Sequence, residues 1–174
     1  YATFQAARAG AVSGVKKGDM QDALAGGLTP LFVQSPDIAN ALITMQKIRL
    51  TEVLIFSKIE VISPTRAAFN EFRERQYDGR YALPNDSLAF RNANIGGSQV
   101  NVQDANILKI KVVYDAPLVV PFVDWVLGGN SQYLKPGTFE SSPLQTFTRR
   151  LPIESYAIVR MQSPIAKQGN LDLS

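Results

Sequence analysis

Asn106-Ile-Leu-Lys-Ile-Lys-Val-Val-Tyr-Asp115 sets the architecture of this chain. In an extended backbone Leu108, Ile110, Val112 and Tyr114 point to one side, and Lys109 and Lys111 to the other. A strand with one apolar and one wet face belongs to an antiparallel sheet covered on a single side. Ile153 to Gln162 repeats the alternation through Ile153, Ser155, Ala157, Val159 and Met161. Upstream, Ser57-Lys-Ile-Glu-Val-Ile-Ser-Pro64 also has period two. There Ile59 and Val61 alternate with Lys58, Glu60 and Ile62, and Pro64 closes the run.

Before these strands the period is helical. Phe4, Ala7, Ala11 and Val15 recur at spacings of three and four and share one face of a first helix. That helix should end at Ser13-Gly14 or Lys17-Gly18, and Ala6, Ala7, Ala9, Gly10 and Ala11 let another element approach closely. Asp19 reads as the N-cap of a second helix with Met20, Ala23, Leu24, Leu28, Leu31 and Phe32, weakened at Gly26-Gly27 and Pro30. Ser35-Pro36 starts a third, whose stripe Ile38, Ala41, Leu42, Met45 and Ile48 persists to about Ile55. Thr65 caps a short helix carrying Ala68, Phe69 and Phe72.

Gln76 to Asn106 reads as a long loop with one or two short strands. Pro121 opens a short helix through Val123 and Trp125 to Gly128-Gly129, Asn130 to Thr148 is another loop, and the tail after Pro164 frays. Helices first and strands later, without a βαβ rhythm, predict an α+β fold with N-terminal helices on an antiparallel sheet. The 174 residues form one soluble domain: 1–56 mainly helical, 57–164 sheet with short helices and long loops, and 165–174 tail.

Composition narrows the function. Hydrophobic residues make up 45% and charged ones 19%, so the chain folds with a surface that also relies on neutral polar side chains. Net charge is +3, with bases scattered as Lys16-Lys17, Lys109 with Lys111, Arg149-Arg150 and the cluster Arg73, Arg75, Arg80. Tyr77 and Tyr81 interleave that cluster, but Glu71, Glu74 and Asp78 dilute it, so it reads as a solvated helix end and loop; nucleic acid is not expected as a partner. Without cysteine there are no disulfides, thiolate metal sites or thiol nucleophiles; without histidine the commonest neutral-pH base and metal ligand is missing.

No glycine-rich dinucleotide fingerprint, phosphate loop or Gly-x-Ser-x-Gly elbow occurs. The loop carboxylates Asp78, Asp86, Asp104 and Asp115 would be needed for two-acid hydrolysis, but aspartates in such places more often cap turns. Asn101-Val-Gln-Asp104-Ala-Asn106, with Asn85-Asp86, offers oxygens for calcium; fewer carboxylates than a calcium loop favour backbone hydrogen bonding instead. We expect no enzyme, no cofactor and no small-molecule substrate.

Tyr1-Ala-Thr-Phe-Gln-Ala-Ala-Arg-Ala-Gly-Ala-Val12 opens in mid-helix without Met, signal peptide or N-cap. Either it is an amphipathic helix at a domain cut, or a membrane-spanning helix precedes Tyr1 and the chain is the remainder of an anchored protein. Together with Ala23-Leu-Ala-Gly-Gly-Leu-Thr-Pro-Leu-Phe32, it resembles the mid-region of TadE/TadG-like pilus assembly proteins. The resemblance continues at Lys58-Ile-Glu-Val-Ile-Ser-Pro-Thr-Arg-Ala-Ala-Phe69, where Asn often replaces Ser63. It is clearest at Leu83-Pro-Asn-Asp86, at Val102-Gln-Asp-Ala-Asn-Ile-Leu-Lys-Ile-Lys-Val112, and from Leu151-Pro-Ile through Arg160-Met-Gln-Ser-Pro164.

The resemblance implies a pilin-like fold and a structural minor pilin or pseudopilin of the tight-adherence (Tad, Flp) system. Such a protein is held in the inner membrane by an upstream helix, with this domain in the periplasm or in an extracellular pilus. Its partners are other pilus-assembly subunits, and no catalytic residues come with it. We expect partner contacts at Phe4, Ala7 and Ala11 on the first helix, at Arg73, Arg75 and Arg80, and along the two long loops. The alternative from another class is a secreted or periplasmic module that binds a ligand or surface, motivated by Trp125, Tyr133 and Phe139.

Overall fold

The structure, a computed structural model, describes residues 1–33, 37–117, 150–166 and 168–171. It is α+β, with the expected strands at its centre. β4 (Ile107–Pro117) lies between β1 (Ser57–Ser63) and β5 (Arg150–Arg160) in an antiparallel sheet ordered β1-β4-β5. Val112 stands between Ile59 and Ser155, and Ile110 between Val61 and Ala157. One face therefore gathers the apolar positions of all three strands, and Leu108, Ile110, Val112, Tyr114, Ile59 and Ala157 are buried on it. The other face carries Lys58, Glu60, Lys109, Lys111, Glu154 and Tyr156. There Lys111 pairs with Glu154 at 2.9 Å and lies 5.8 Å from the Tyr156 ring centroid.

α1 (Ala2–Ser13) packs over β4 and β5 and forms an antiparallel hairpin with α2 (Lys17–Leu28). Gly14 ends α1 in the left-handed region at φ 70°, a conformation that costs glycine little. The hairpin packs through small residues. A β-carbon on Gly27 would lie 2.5 Å from the Ala2 Cα, so the two backbones nearly touch. α2 starts behind Lys16 rather than at Asp19, which instead sits in its first turn, where a negative charge meets the helix N-terminal dipole.

Ser35 and Pro36 lie outside the described residues. α3 (Ile38–Ile48) begins behind Asp37, whose carboxylate accepts the Ala39 N–H at 3.3 Å. A π turn, Arg49–Val53, carries the helix into α4 (Leu54–Phe56). Ile48 and Val53 would point about 140° apart on an α-helix of 3.6 residues per turn. The wider π turn brings them toward one side, and both are buried. Of the rest of the expected stripe, Ala41 and Met45 are half-buried while Ile38 is 78% and Leu42 61% accessible; Ile43, Leu50 and Leu54, outside the stripe, are exposed as well.

α5 (Arg66–Phe72) is capped as its sequence requires, with the Thr65 hydroxyl accepting the Ala68 N–H at 3.2 Å. The following loop region contains a two-stranded hairpin, β2 (Glu74–Arg75) with β3 (Tyr81–Ala82), and the short α6 (Val102–Ala105). The described part of the tail, through Leu171, is tied to the domain and not frayed as expected. The Ile165 carbonyl accepts the Leu83 N–H at 2.9 Å, the Asn170 amide donates to the Gly14 carbonyl at 2.9 Å, and Ile165 and Leu171 are buried. The helix expected from Pro121, the Asn130–Thr148 loop, and Trp125, Tyr133 and Phe139 lie outside the described residues.

Candidate functional site

On α1 the three residues expected at a partner interface separate. Ala7 and Ala11 are fully buried by the chain's own elements, because the small-residue face is used to approach α2 and the sheet. The Ala11 carbonyl also accepts N–H bonds from Gln162 and Ser163, at 3.0 and 3.1 Å, which pins the exit of β5 to this helix. Phe4 is 46% exposed, with the Arg8 guanidinium 5.9 Å from its ring centroid. Tyr1 at the N-cap, Phe4 and Val12, with Arg8 between them, thus form the outward edge of α1, and they are what this helix can offer a partner.

The second expected group does come together. Arg73, Arg75 and Arg80 lie on or beside the β2–β3 hairpin, all exposed. The Gln76 N–H donates to the Arg80 carbonyl at 2.7 Å and closes the turn, while Gly79 takes φ 81° at its tip. Asp78 accepts the Arg80 backbone N–H at 2.9 Å and faces its guanidinium at 3.8 Å. Arg73 stacks 5.4 Å from the Tyr81 ring centroid, and Tyr77 stands fully in solvent. The hairpin is a small cationic and aromatic knob.

Behind it the loop is locked by carboxylates. Arg91 bonds Glu74 at 2.6 Å and Asp86 at 3.1 Å. Glu71 accepts the Gly97 and Ser98 N–H groups at 2.6 and 2.8 Å. The Ser98 hydroxyl beside it, together with the Ser98 and Gly97 amides, holds its carboxyl below the ordinary range. A β-carbon on Gly96 would collide with this carboxylate in its present position, so a side chain there would displace the Glu71 carboxylate from its latch.

The side chains considered for calcium are used in the same way. Asn101 caps α6 by accepting the Asp104 N–H at 2.7 Å. The Gln103 amide donates to the Leu88 and Arg91 carbonyls, and the buried Asn106 amide to the Pro84 and Val102 carbonyls. Among the described residues no group of three or more acidic, histidine or cysteine side chains is placed to hold a metal.

Sequence reasoning missed the buried cluster at the far end of the sheet. The Arg150 guanidinium makes a two-pronged pair with Glu52, at 2.8 and 3.0 Å, and donates to the Asp115 carbonyl at 2.8 Å. It also lies 3.4 Å from the Phe56 ring centroid, and Tyr114 donates its hydroxyl to Glu52 at 2.9 Å. Both charged side chains are only 12–13% exposed. Burial, then the hydrogen bond to Glu52, raises the Tyr114 hydroxyl above its ordinary value, and burial raises the Asp115 carboxyl. The available signal was Glu52 itself, a lone carboxylate in the apolar run 38–56. Beside this cluster Lys17, Gln21, Phe56, Lys58, Val113 and Asp115 line a cleft of about 460 Å³. The Glu52 carboxylate and the Arg150 guanidinium are turned on each other and on Tyr114, Phe56 and the Asp115 carbonyl, so together they pin the end of the helix to the sheet.

Among the described residues no helix is long and apolar enough to cross a membrane. The chain matches no known protein family, no curated protein and no solved structure.

Proposed function

We propose that this chain is a structural minor pilin or pseudopilin of a tight-adherence pilus, acting by contact with other pilus-assembly subunits rather than by catalysis. The reading places it in the cell envelope, anchored in the inner membrane by a helix upstream of Tyr1 or carried into the fibre. The ordered series of segments that resembles TadE/TadG-like proteins supports it, and the α+β architecture is compatible with it.

The observation that carries it is the division of labour on α1. The small-residue side of this helix is consumed by the domain, while Tyr1, Phe4 and Val12 remain exposed along it. A helix that keeps apolar side chains exposed along one edge is suited to packing against neighbouring helices. In the source bacterium, deletion of the gene is expected to abolish sheared pili and surface attachment. Complementation with the wild type restores both, and a Phe4→Asp/Val12→Asp variant present at wild-type levels does not. Normal piliation in the deletion strain would sink the reading.

The β2–β3 knob favours a second reading, a non-catalytic module that binds a ligand or surface, because exposed Tyr77 and Tyr81 flank three cations. Binding of the purified chain to a glycan array, lost in Tyr77→Ala with Arg75→Ala, would favour it over the first.

A further inference from the structure

We propose that a second copy of this chain pairs with the outer edge of β5 about a two-fold axis through Ala157, joining two sheets into one. The argument begins with which backbone groups that edge presents. The Met161 N–H donates to the Asn106 carbonyl at 2.8 Å, so the odd-numbered residue turns its polar groups toward β4. Hydrogen bonding alternates along an antiparallel strand, so residues 152, 154, 156, 158 and 160 turn theirs outward. Pro152 fits this parity, since the donor it lacks would have faced outward. Among the described residues nothing pairs with this edge, and β5 is 11 residues long. A strand of that length is a template for another strand.

The same even-numbered residues carry their side chains on the wet face of the sheet, and their order is self-complementary. With Ala157 at the axis, Tyr156 lies opposite Ile158 of the second copy and Glu154 lies opposite its Arg160, each pair occurring twice. Tyr156 is 53% and Ile158 61% exposed, large apolar side chains at the point where the register would cover them. Arg160 makes no ion pair among the described residues, and Glu154, half-exposed, meets Lys111 at 2.9 Å through one oxygen and accepts a long 3.4 Å hydrogen bond from the Tyr156 hydroxyl on the other. Edges that avoid association usually carry charges of one sign, which repel a copy. Here the charges are opposite and spaced to attract one. All four outward pairs are hydrogen-bonded pairs, so each exchanges two N–H···O bonds, and the interface is isologous. The inference is independent of the pilus reading.

Sedimentation velocity across a concentration series tests it on the intact chain. The wild type should shift reversibly from monomer to dimer. Arg160→Glu sets like charges opposite each other twice and should weaken the dimer about tenfold or more. Glu154→Arg combined with Arg160→Glu restores the pairing and should recover it. The chain has no cysteine, so Tyr156→Cys mixed with Ile158→Cys should form a disulfide-linked heterodimer, while either variant alone should not. A wild type that stays monomeric throughout, a dimer indifferent to Arg160→Glu, or a mixture that fails to cross-link would each overturn the proposal. Circular dichroism of each variant separates loss of pairing from loss of fold.

Discussion

The hairpin of α1 and α2 and the arm of α3, π turn and α4 reverse what their sequences promise. The arm has the cleaner apolar stripe, yet Ile38 and Leu42 of that stripe are exposed, as are Ile43, Leu50 and Leu54 beside it. The hairpin is made largely of alanine and glycine, and it buries Ala6, Ala7, Gly10 and Ala11 against Met20, Leu24 and the sheet. Small residues allow backbones to approach until dispersion contacts are dense on every side. Large aliphatic residues hold a neighbour away unless a matching surface exists. The hairpin is held by shape, whereas the arm is held at separate points: Ile48 and Val53 enter the core, Arg49 pairs with Asp22 of α2, and Glu52 pairs with Arg150.

Breaking the pin should have the largest effect. Glu52→Ala leaves a buried guanidinium without its partner and is expected to cost about 3–5 kcal/mol in urea denaturation. Replacing both residues, Glu52→Leu with Arg150→Met, should recover most of that loss. Equal destabilisation by the single and double variants would show that the pair is not the pin.

Overfilling the hairpin comes next. Gly27→Ala drives a methyl group into the Ala2 backbone and should cost about 1–3 kcal/mol, read as a lower denaturation midpoint at unchanged slope. The matching change in the arm, Leu42→Ser, should stay within about 0.5 kcal/mol of wild type, because the side chain is already in water. A large loss at Leu42 would mean that the arm is covered after all.

The smallest effect concerns the Glu71 latch. Its folded carboxyl titrates below the ordinary range, so its contribution to stability is present above the unfolded pKa. It is lost as pH falls through the lowered folded value. Amide exchange at Gly97 and Ser98 should therefore accelerate, relative to the sheet, only on strong acidification. Glu71→Gln should accelerate it already at neutral pH. Equal protection of these two amides in both proteins would remove the latch.

Much of the fold was legible because local chemistry and tertiary context agreed. Leu108 to Tyr114 alternated and became the buried face of the central strand, Thr65 capped its helix, and Gly14 ended α1. The candidate site was legible in part. Arg73, Arg75 and Arg80 do meet on one hairpin, but Ala7 and Ala11 went into the core and only Phe4 remained for a partner. Asp19 and the C-terminal tail were misread for a common reason. A capping residue competes with its neighbours for the same turn, and a tail is held by distant acceptors such as Gly14 that local sequence does not reveal.

By itself the sequence determined the period of each segment, and with it the helices, the strands and the wet and dry faces of the sheet. Those properties follow from side-chain direction along a regular backbone, which neighbouring residues decide. The tertiary structure decided which apolar stripe is buried, which arginine finds a carboxylate, and which strands pair. Glu52 and Arg150 are 98 residues apart, and among the described residues β5 pairs with β4 on one side alone. Burial and pairing depend on which surfaces meet in space, and no local pattern along the chain carries that information.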